Sequence, residues 1–166
     1  MILKENFLSD EQCDSIIEFY KNNQDKSFEL QGTSHIQLFN KNNQDKTFEL
    51  EGTFIIELFN YPEFAPLLNK IDTQIREDFT SDMRIDNCEI VKWPIDSFKR
   101  DHIDTGDKCV FLCYLNDDYT GGETVIDNEN FTPKKGSMLY FNNGILSHRV
   151  NQVGENDRYI LAGWYV

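Results

Sequence analysis

The sequence predicts an α+β chain that is mainly β, with a helical N-terminal third ahead of an antiparallel all-β body. Three observations predict it. Apolar residues recur at helical spacing in two stretches before residue 80. From Ile85 onward they fall instead into short β-branched and aromatic runs separated by turn-forming segments. The 13 Phe and 7 Tyr among 166 residues favour a sheet-rich interior. That length is one domain's worth, so residues 1–166 are read as a single domain.

Taken in order, Ser9-Asp10-Glu11-Gln12 opens the first helix. Ser9 can cap its N-terminus, Gln12 stands where a capping box needs it, and Ile16, Ile17, Phe19 and Tyr20 follow. The spacing of Leu67, Leu68, Ile71 and Ile75 predicts a second helix over about 62–79. The runs CEIVKW, CVFLCYL, ETVI, SMLYF and RYILAGWYV read as strands, and DTGD, NDDYTGG, TPKKG, NNG and NQVGEND as the turns between them.

Between the helices lies a tandem repeat. Residues 21–40 and 41–60 agree at 15 of 20 positions, differing at 27/47, 31/51, 34/54, 35/55 and 37/57. Two copies are too few to stack as a solenoid. A duplication tolerated at the surface is one reading, and an enlarged hairpin flap near a substrate mouth is the other. Each copy has strand-like pieces around a Gly-Thr turn and could form one hairpin. Ile55 replaces His35, so the second copy is expected to be the more buried.

The balance of 16 Lys+Arg against 29 Asp+Glu gives a net charge of -13. It is spread along the chain: residues 1–60 carry 5 basic and 11 acidic residues, and residues 61–166 carry 11 and 18. A diffuse acidic field repels a phosphate backbone, which argues against nucleic acid as a partner and leaves a cationic substrate open. Cys13, Cys88, Cys109 and Cys113 form no CxxC pair and read as buried free thiols. Neither a secretion signal nor a long apolar run is visible, so no membrane partner and a cytoplasmic, reducing location are the expectations. The sequon at Asn130 then carries no meaning.

Two of the three histidines sit where chemistry wants them. In His102-Ile103-Asp104, residues i and i+2 of a strand share a face, while Ile103 turns the other way into packing. His148 follows later, at the end of SMLYFNNGILSH, where a hairpin-rich body can fold it back. Two imidazoles and a carboxylate make the facial triad of non-haem Fe(II) oxygenases. A calcium loop around Asp101, Asp104 and Asp107 fails on spacing, because Ile103 takes its third position and no Gly its sixth. A zinc hydrolase with the same three ligands stays open on the triad alone. Arg158, in NDRYILAGWYV, decides against it. A strand arginine half-buried among aromatic residues needs an anion, and its planar fork suits the distal carboxylate of 2-oxoglutarate; an ordinary ion pair with an Asp or Glu is the plainer alternative.

With these motifs in hand, the chain resembles the prolyl 4-hydroxylase-like branch of the Fe(II)/2-oxoglutarate dioxygenases. NFLSDEQCDSII resembles that branch's N-terminal helix, EIVKWPIDSFKRDHIDT its approach to HxD, CYLNDDYTGGETVI its YLN…GGET signature, and TPKKGSMLYFNN…LSHRVNQV…RYILAGWY its closing strands. The resemblance implies a double-stranded β-helix, or jelly-roll, core flanked by helices. It implies Fe(II) on His102, Asp104 and His148, with 2-oxoglutarate and O2 as co-substrates and ascorbate in support. Arg158 would hold the distal carboxylate, with Tyr114 donating its hydroxyl to the same group. Trp164 would be a cavity wall or core, and Gly121, Gly122 and Glu123 would shape a turn. The implied activity is hydroxylation of an unactivated C–H bond, most plainly of a peptidyl proline or similar residue, with release of succinate and CO2. A small molecule or free amino acid is the alternative substrate, and a catalytically silent jelly-roll binding module the alternative function. The presence of Asp104 disfavours a halogenase. Two departures stand out: Trp93 and Asp96 replace the branch's usual Tyr and Gly. Trp has no hydroxyl to offer the co-substrate, and Asp96 is expected to re-shape the approach loop.

Overall fold

A computed structural model describes residues 1–30, 53–79, 82–104, 108–142 and 144–166. The first helix, α1 (Asp10–Asn22), starts on the capping box read from the sequence. Ser9 Oγ accepts the Gln12 N–H at 3.2 Å, and Gln12 Oε1 accepts the Ser9 N–H at 3.0 Å. Losing such a cap costs a helix about 1 kcal/mol. α1 buries Cys13, Ile16 and Tyr20. The second helix, α2 (Ala65–Asp78), is preceded by a 3-10 turn at Pro62–Phe64 and buries Ile71 and Ile75, with Leu67 and Leu68 partly covered.

Eleven strands among the described residues build two antiparallel sheets. They are β1 (Ile2–Lys4), β2 (Phe28–Leu30), β3 (Thr53–Glu57), β4 (Ile85–Trp93), β5 (Lys99–His102), β6 (Cys109–Tyr114), β7 (Thr124–Ile126), β8 (Glu129–Phe131), β9 (Met138–Phe141), β10 (His148–Val150) and β11 (Arg158–Tyr165). The larger sheet runs β1-β9-β6-β11-β4-β3-β2 and the smaller β5-β10-β7-β8.

Alternation along the large sheet divides its two faces. Cys88, Ile90, Cys109, Phe111, Cys113, Met138, Tyr140, Leu161 and Tyr165 pack toward α1 and α2. Val91, Trp93, Val110, Tyr114, Leu139, Phe141, Ile160 and Ala162 pack inward with Ile126 and Val150 of the small sheet. Side chains on a strand point to opposite faces in turn, so a strand buried on both sides reads as a continuous apolar run. That is the texture of CVFLCYL and RYILAGWYV. The two sheets closing on one interior form the expected jelly roll, with helices on its outside. All four cysteines are free and buried, and burial pushes their thiols up, Cys13 to about 11, so they are inert core groups.

Residues 31–52 of the repeat lie outside the described residues, so hairpins internal to each copy, the flap and the environment of His35 lie outside them too. Within the described part, pairing runs between copies: Phe28, Glu29 and Leu30 of the first stand opposite Ile55, Phe54 and Thr53 of the second. Ile55 is buried.

Candidate active site

The two histidines meet because β5 and β10 are antiparallel neighbours with His102 directly opposite His148. Directly paired strand positions share a face about 5 Å apart, and the two rings stand 4.0 Å apart between centroids. Asp104 lies two residues past the end of β5. Its Oδ1 is 3.5 Å from His102 Nε2 and its Oδ2 is 3.7 Å from His148 Nε2. One ligand atom from each of the three lies within 4.8 Å of the others. Adjacent octahedral ligands with bonds of about 2.1 Å sit about 3 Å apart, so a small inward closure fits a metal ion here. The reading of Ile103 needs correction: it is 45% exposed, not packed inward, because the strand has already ended at His102.

The imidazoles are oriented for metal binding. His102 Nδ1 is 2.8 Å from the Arg100 carbonyl and His148 Nδ1 is 3.2 Å from the Leu146 carbonyl. A carbonyl only accepts, so each Nδ1 carries the proton and each Nε2 keeps its lone pair toward Asp104. Burial, then the charges of His148 and Lys99, hold His102 down to about 4; burial also lowers His148. Both rings are therefore neutral near pH 7, the form that ligates a metal. Trp164 Nε1 donates to Asp104 Oδ2 at 3.3 Å, so this residue is more than a wall. An open groove of about 510 Å3, lined by Phe98, Lys99, Arg149 and Gln152 among others, runs beside β5 and β10 without including the triad.

Arg158 opens β11 opposite Trp93 of β4 and faces the same interior. It is fully buried, where the sequence implied half-burial. Its Cζ lies 5.4 Å from the ring centroids of both Trp93 and Tyr114. Nη2 donates to Thr124 Oγ1 at 3.1 Å, and that hydroxyl is 2.6 Å from Tyr114 Oη. Nε and Nη1 have no partner, nor does Trp93 Nε1. Among the described residues no carboxylate pairs with Arg158, so the alternative of an ordinary ion pair finds no support. A sealed guanidinium without an anion costs several kcal/mol. Unpartnered donors on one inward-facing patch are what a carboxylate would satisfy. Burial pushes the Tyr114 hydroxyl up while the Arg158 charge and the Thr124 hydrogen bond pull against it, so it stays protonated.

Thr124 is a site residue that sequence reasoning missed; a threonine within an apolar strand was its one signal. Gly121 and Gly122 both take φ +64°, and a Cβ on Gly122 would press Arg158 Cδ at 3.1 Å, so the Gly-Gly turn does seat the arginine. Glu123 ties the turn to β10's exit through Asn151 Nδ2 at 3.0 Å. Asp96 adopts φ +70°, the left-handed form a glycine would take. Its N–H donates to the Val153 carbonyl at 2.8 Å, and its Oδ1 accepts from Gln152 Nε2 at 2.9 Å.

Comparison with known proteins bears on the fold and on the C-terminal half of the chain. Residues 86–166 match the family model of the 2OG-Fe(II) oxygenase superfamily. That match spans 81 of the 166 residues, and members of the superfamily use Fe(II), 2-oxoglutarate and O2. Among solved structures, a prolyl hydroxylase from Trichoplax adhaerens, in complex with a hypoxia-inducible factor peptide, is 18% identical with a TM-score of 0.76, over 99% of this chain and 82% of that one. A prolyl-4-hydroxylase of Pseudomonas putida is 17% identical with a TM-score of 0.73, over 99% and 90%. The viral collagen prolyl hydroxylase of Paramecium bursaria Chlorella virus-1, in its 2-oxoglutarate complex, is 16% identical with a TM-score of 0.71, over 99% and 93%. These likenesses establish a shared fold that includes the helical N-terminal part. No curated protein matches the sequence significantly. Among the described residues no helix is long and apolar enough to cross a membrane.

Proposed function

We propose that this chain is an Fe(II)- and 2-oxoglutarate-dependent hydroxylase, acting as a single domain on a peptide side chain or small molecule. His102, Asp104 and His148 hold the iron, and Arg158 with Tyr114 holds the distal carboxylate of 2-oxoglutarate. The observation that carries this reading is the buried Arg158 with Nε and Nη1 unpartnered, on the interior that the triad borders. The donor set fits the metal: two neutral imidazoles and a carboxylate approach from one side.

Bound there, iron, 2-oxoglutarate and O2 supply an oxidant able to attack an unactivated C–H bond, with succinate and CO2 released. The chain's own residues do the positioning. The Arg100 and Leu146 carbonyls fix the imidazole tautomers, and Trp164 fixes the carboxylate. Arg158 neutralises a carboxylate, with the Tyr114–Thr124 hydroxyl pair beside it. Val91, Phe141 and Ile160 exclude water from the space between. Peptidyl proline is the substrate that the fold likeness favours. The test is anaerobic titration of 2-oxoglutarate into metal-loaded protein, then succinate release in air with Fe(II) and ascorbate. Saturable, metal-dependent binding is expected; no binding sinks the reading. Binding without succinate, across peptide and small-molecule panels, makes the chain a silent module.

A further inference from the structure

The inner face of β4 carries Glu89, Val91 and Trp93 in turn. Trp93 stands opposite Arg158, while Glu89 stands opposite Ala162, one inward-facing position from Trp164, whose indole holds Asp104. Four strand residues span roughly 13 Å. Glu89 therefore lies at the metal end of the strand, away from the arginine. It is 5% exposed. Oε1 accepts from Asn87 Nδ2 at 2.5 Å, and Oε2 is buried with no partner. On the other side, Glu57 of β3 is its direct cross-strand partner. Both share the strand register of Ile55, which packs with the inner core; Glu89 is buried, whereas Glu57, near the end of β3, is exposed. Two carboxylates directly opposite each other repel and destabilise a sheet, and burying one costs more.

We infer that this carboxylate pair receives a cationic group, an ammonium or guanidinium, on the substrate that is held beside the metal triad. The inference rests on the proposed iron and 2-oxoglutarate site and narrows its substrate. An ammonium has three donors. Glu89 Oε2, Glu57 and the Asn87 amide oxygen, whose own NH2 already serves Glu89, offer three acceptors. A calcium ion would want six to eight oxygens. Burial, and then Glu57, push the Glu89 carboxyl up, a cost that a bound cation reverses; the Asn87 hydrogen bond, and then Lys99, pull it the other way. Lys99 and His102 both belong to β5, the strand that carries the first residue of the triad. Yet Lys99 makes no ion pair with Glu89, whose Oε2 it leaves open. The diffuse acidic surface steers the same class of ligand.

The test uses the full chain, anaerobic, with Mn(II) and 2-oxoglutarate. Calorimetric titration with lysine and arginine is compared with their uncharged near-isosteres norleucine and citrulline, each free and as the N-acetyl methylamide. Failure of 2-oxoglutarate itself to bind, in the preceding titration, indicts the parent reading and not this one. With the co-substrate bound, at least one cationic probe should bind about tenfold or more tighter than its neutral isostere, the size of a charge-assisted hydrogen bond. Glu89→Gln should bring that ratio near one while 2-oxoglutarate affinity holds. Glu89→Met, an apolar fill of similar length, should lose the ratio and melt no lower than the parent chain. Lys99→Met should keep the ratio. A parent chain without preference, a preference that survives Glu89→Gln, or a Glu89→Met that melts lower with its ratio intact would each overturn the assignment.

Discussion

At one end of the jelly-roll interior, His102, Asp104 and His148 keep 10–26% of their side chains exposed, and the backbone orients both rings. At the other end Arg158 has no exposure and leaves Nε and Nη1 unpartnered. The first site is preorganised, with both Nδ1 atoms already bonded to backbone carbonyls. The second carries an uncompensated buried charge. A metal site must stay reachable by substrate and oxygen, whereas a co-substrate carboxylate can be sealed in, and only a sealed site gains full strength from a charged hydrogen bond. Mutations at the two ends should therefore part company in stability as well as in binding.

The largest effect belongs to Asp104. Asp104→Ala removes the carboxylate shared between both rings, and metal-dependent turnover should vanish with the apoprotein still folded. Metal titration followed by calorimetry and a melting curve checks both halves, and retained turnover refutes its role. Arg158→Met comes next, with opposite signs. Affinity for 2-oxoglutarate should fall about 100-fold or more as two charge-assisted hydrogen bonds go. The ligand-free melting temperature should hold or rise, because a buried cation without a partner is replaced by an apolar chain. A marked loss of ligand-free stability would mean that Arg158 is structural.

What was legible in the sequence follows the same division. The HxD…H pattern and the Tyr-Leu-Asn and Gly-Gly-Glu-Thr segments name their residues outright, and the longer strands carry their own apolar runs. The strands β1, β5, β8 and β10 hold only three or four residues, too few to show a period of two, so the end of β5 before Asp104 went unseen and Ile103 was placed inward. Asp96 was read as a departure on identity alone, while its φ of +70° is one that glycine adopts freely. The bond from Thr124 to Arg158, the unpartnered indole of Trp93 and the Glu57–Glu89 pairing are tertiary facts. No single strand contains them.

The smallest predicted effect sharpens the triad's half of the comparison. His102 titrates at about 4 in the folded chain, with burial the first cause, and His148 is lowered as well; an unfolded histidine titrates near 6.5. The folded state then binds fewer protons than the unfolded state in that window. Stability supplied by the neutral rings is present above about pH 6.5 and is lost as pH falls toward 4. Glu89, raised by burial, works in the opposite sense, so the histidine share has to be isolated by difference. Apoprotein melting temperatures between pH 7 and pH 4 should fall less steeply in His102→Gln than in the parent chain. Saturating Mn(II) should carry the parent's slope on to lower pH, because a ligated Nε2 resists protonation and the folded state then binds still fewer protons than the unfolded one. Parallel curves for the two chains would mean that His102 is no more desolvated than an open surface histidine, and the preorganisation argued for this end of the interior would fall with it.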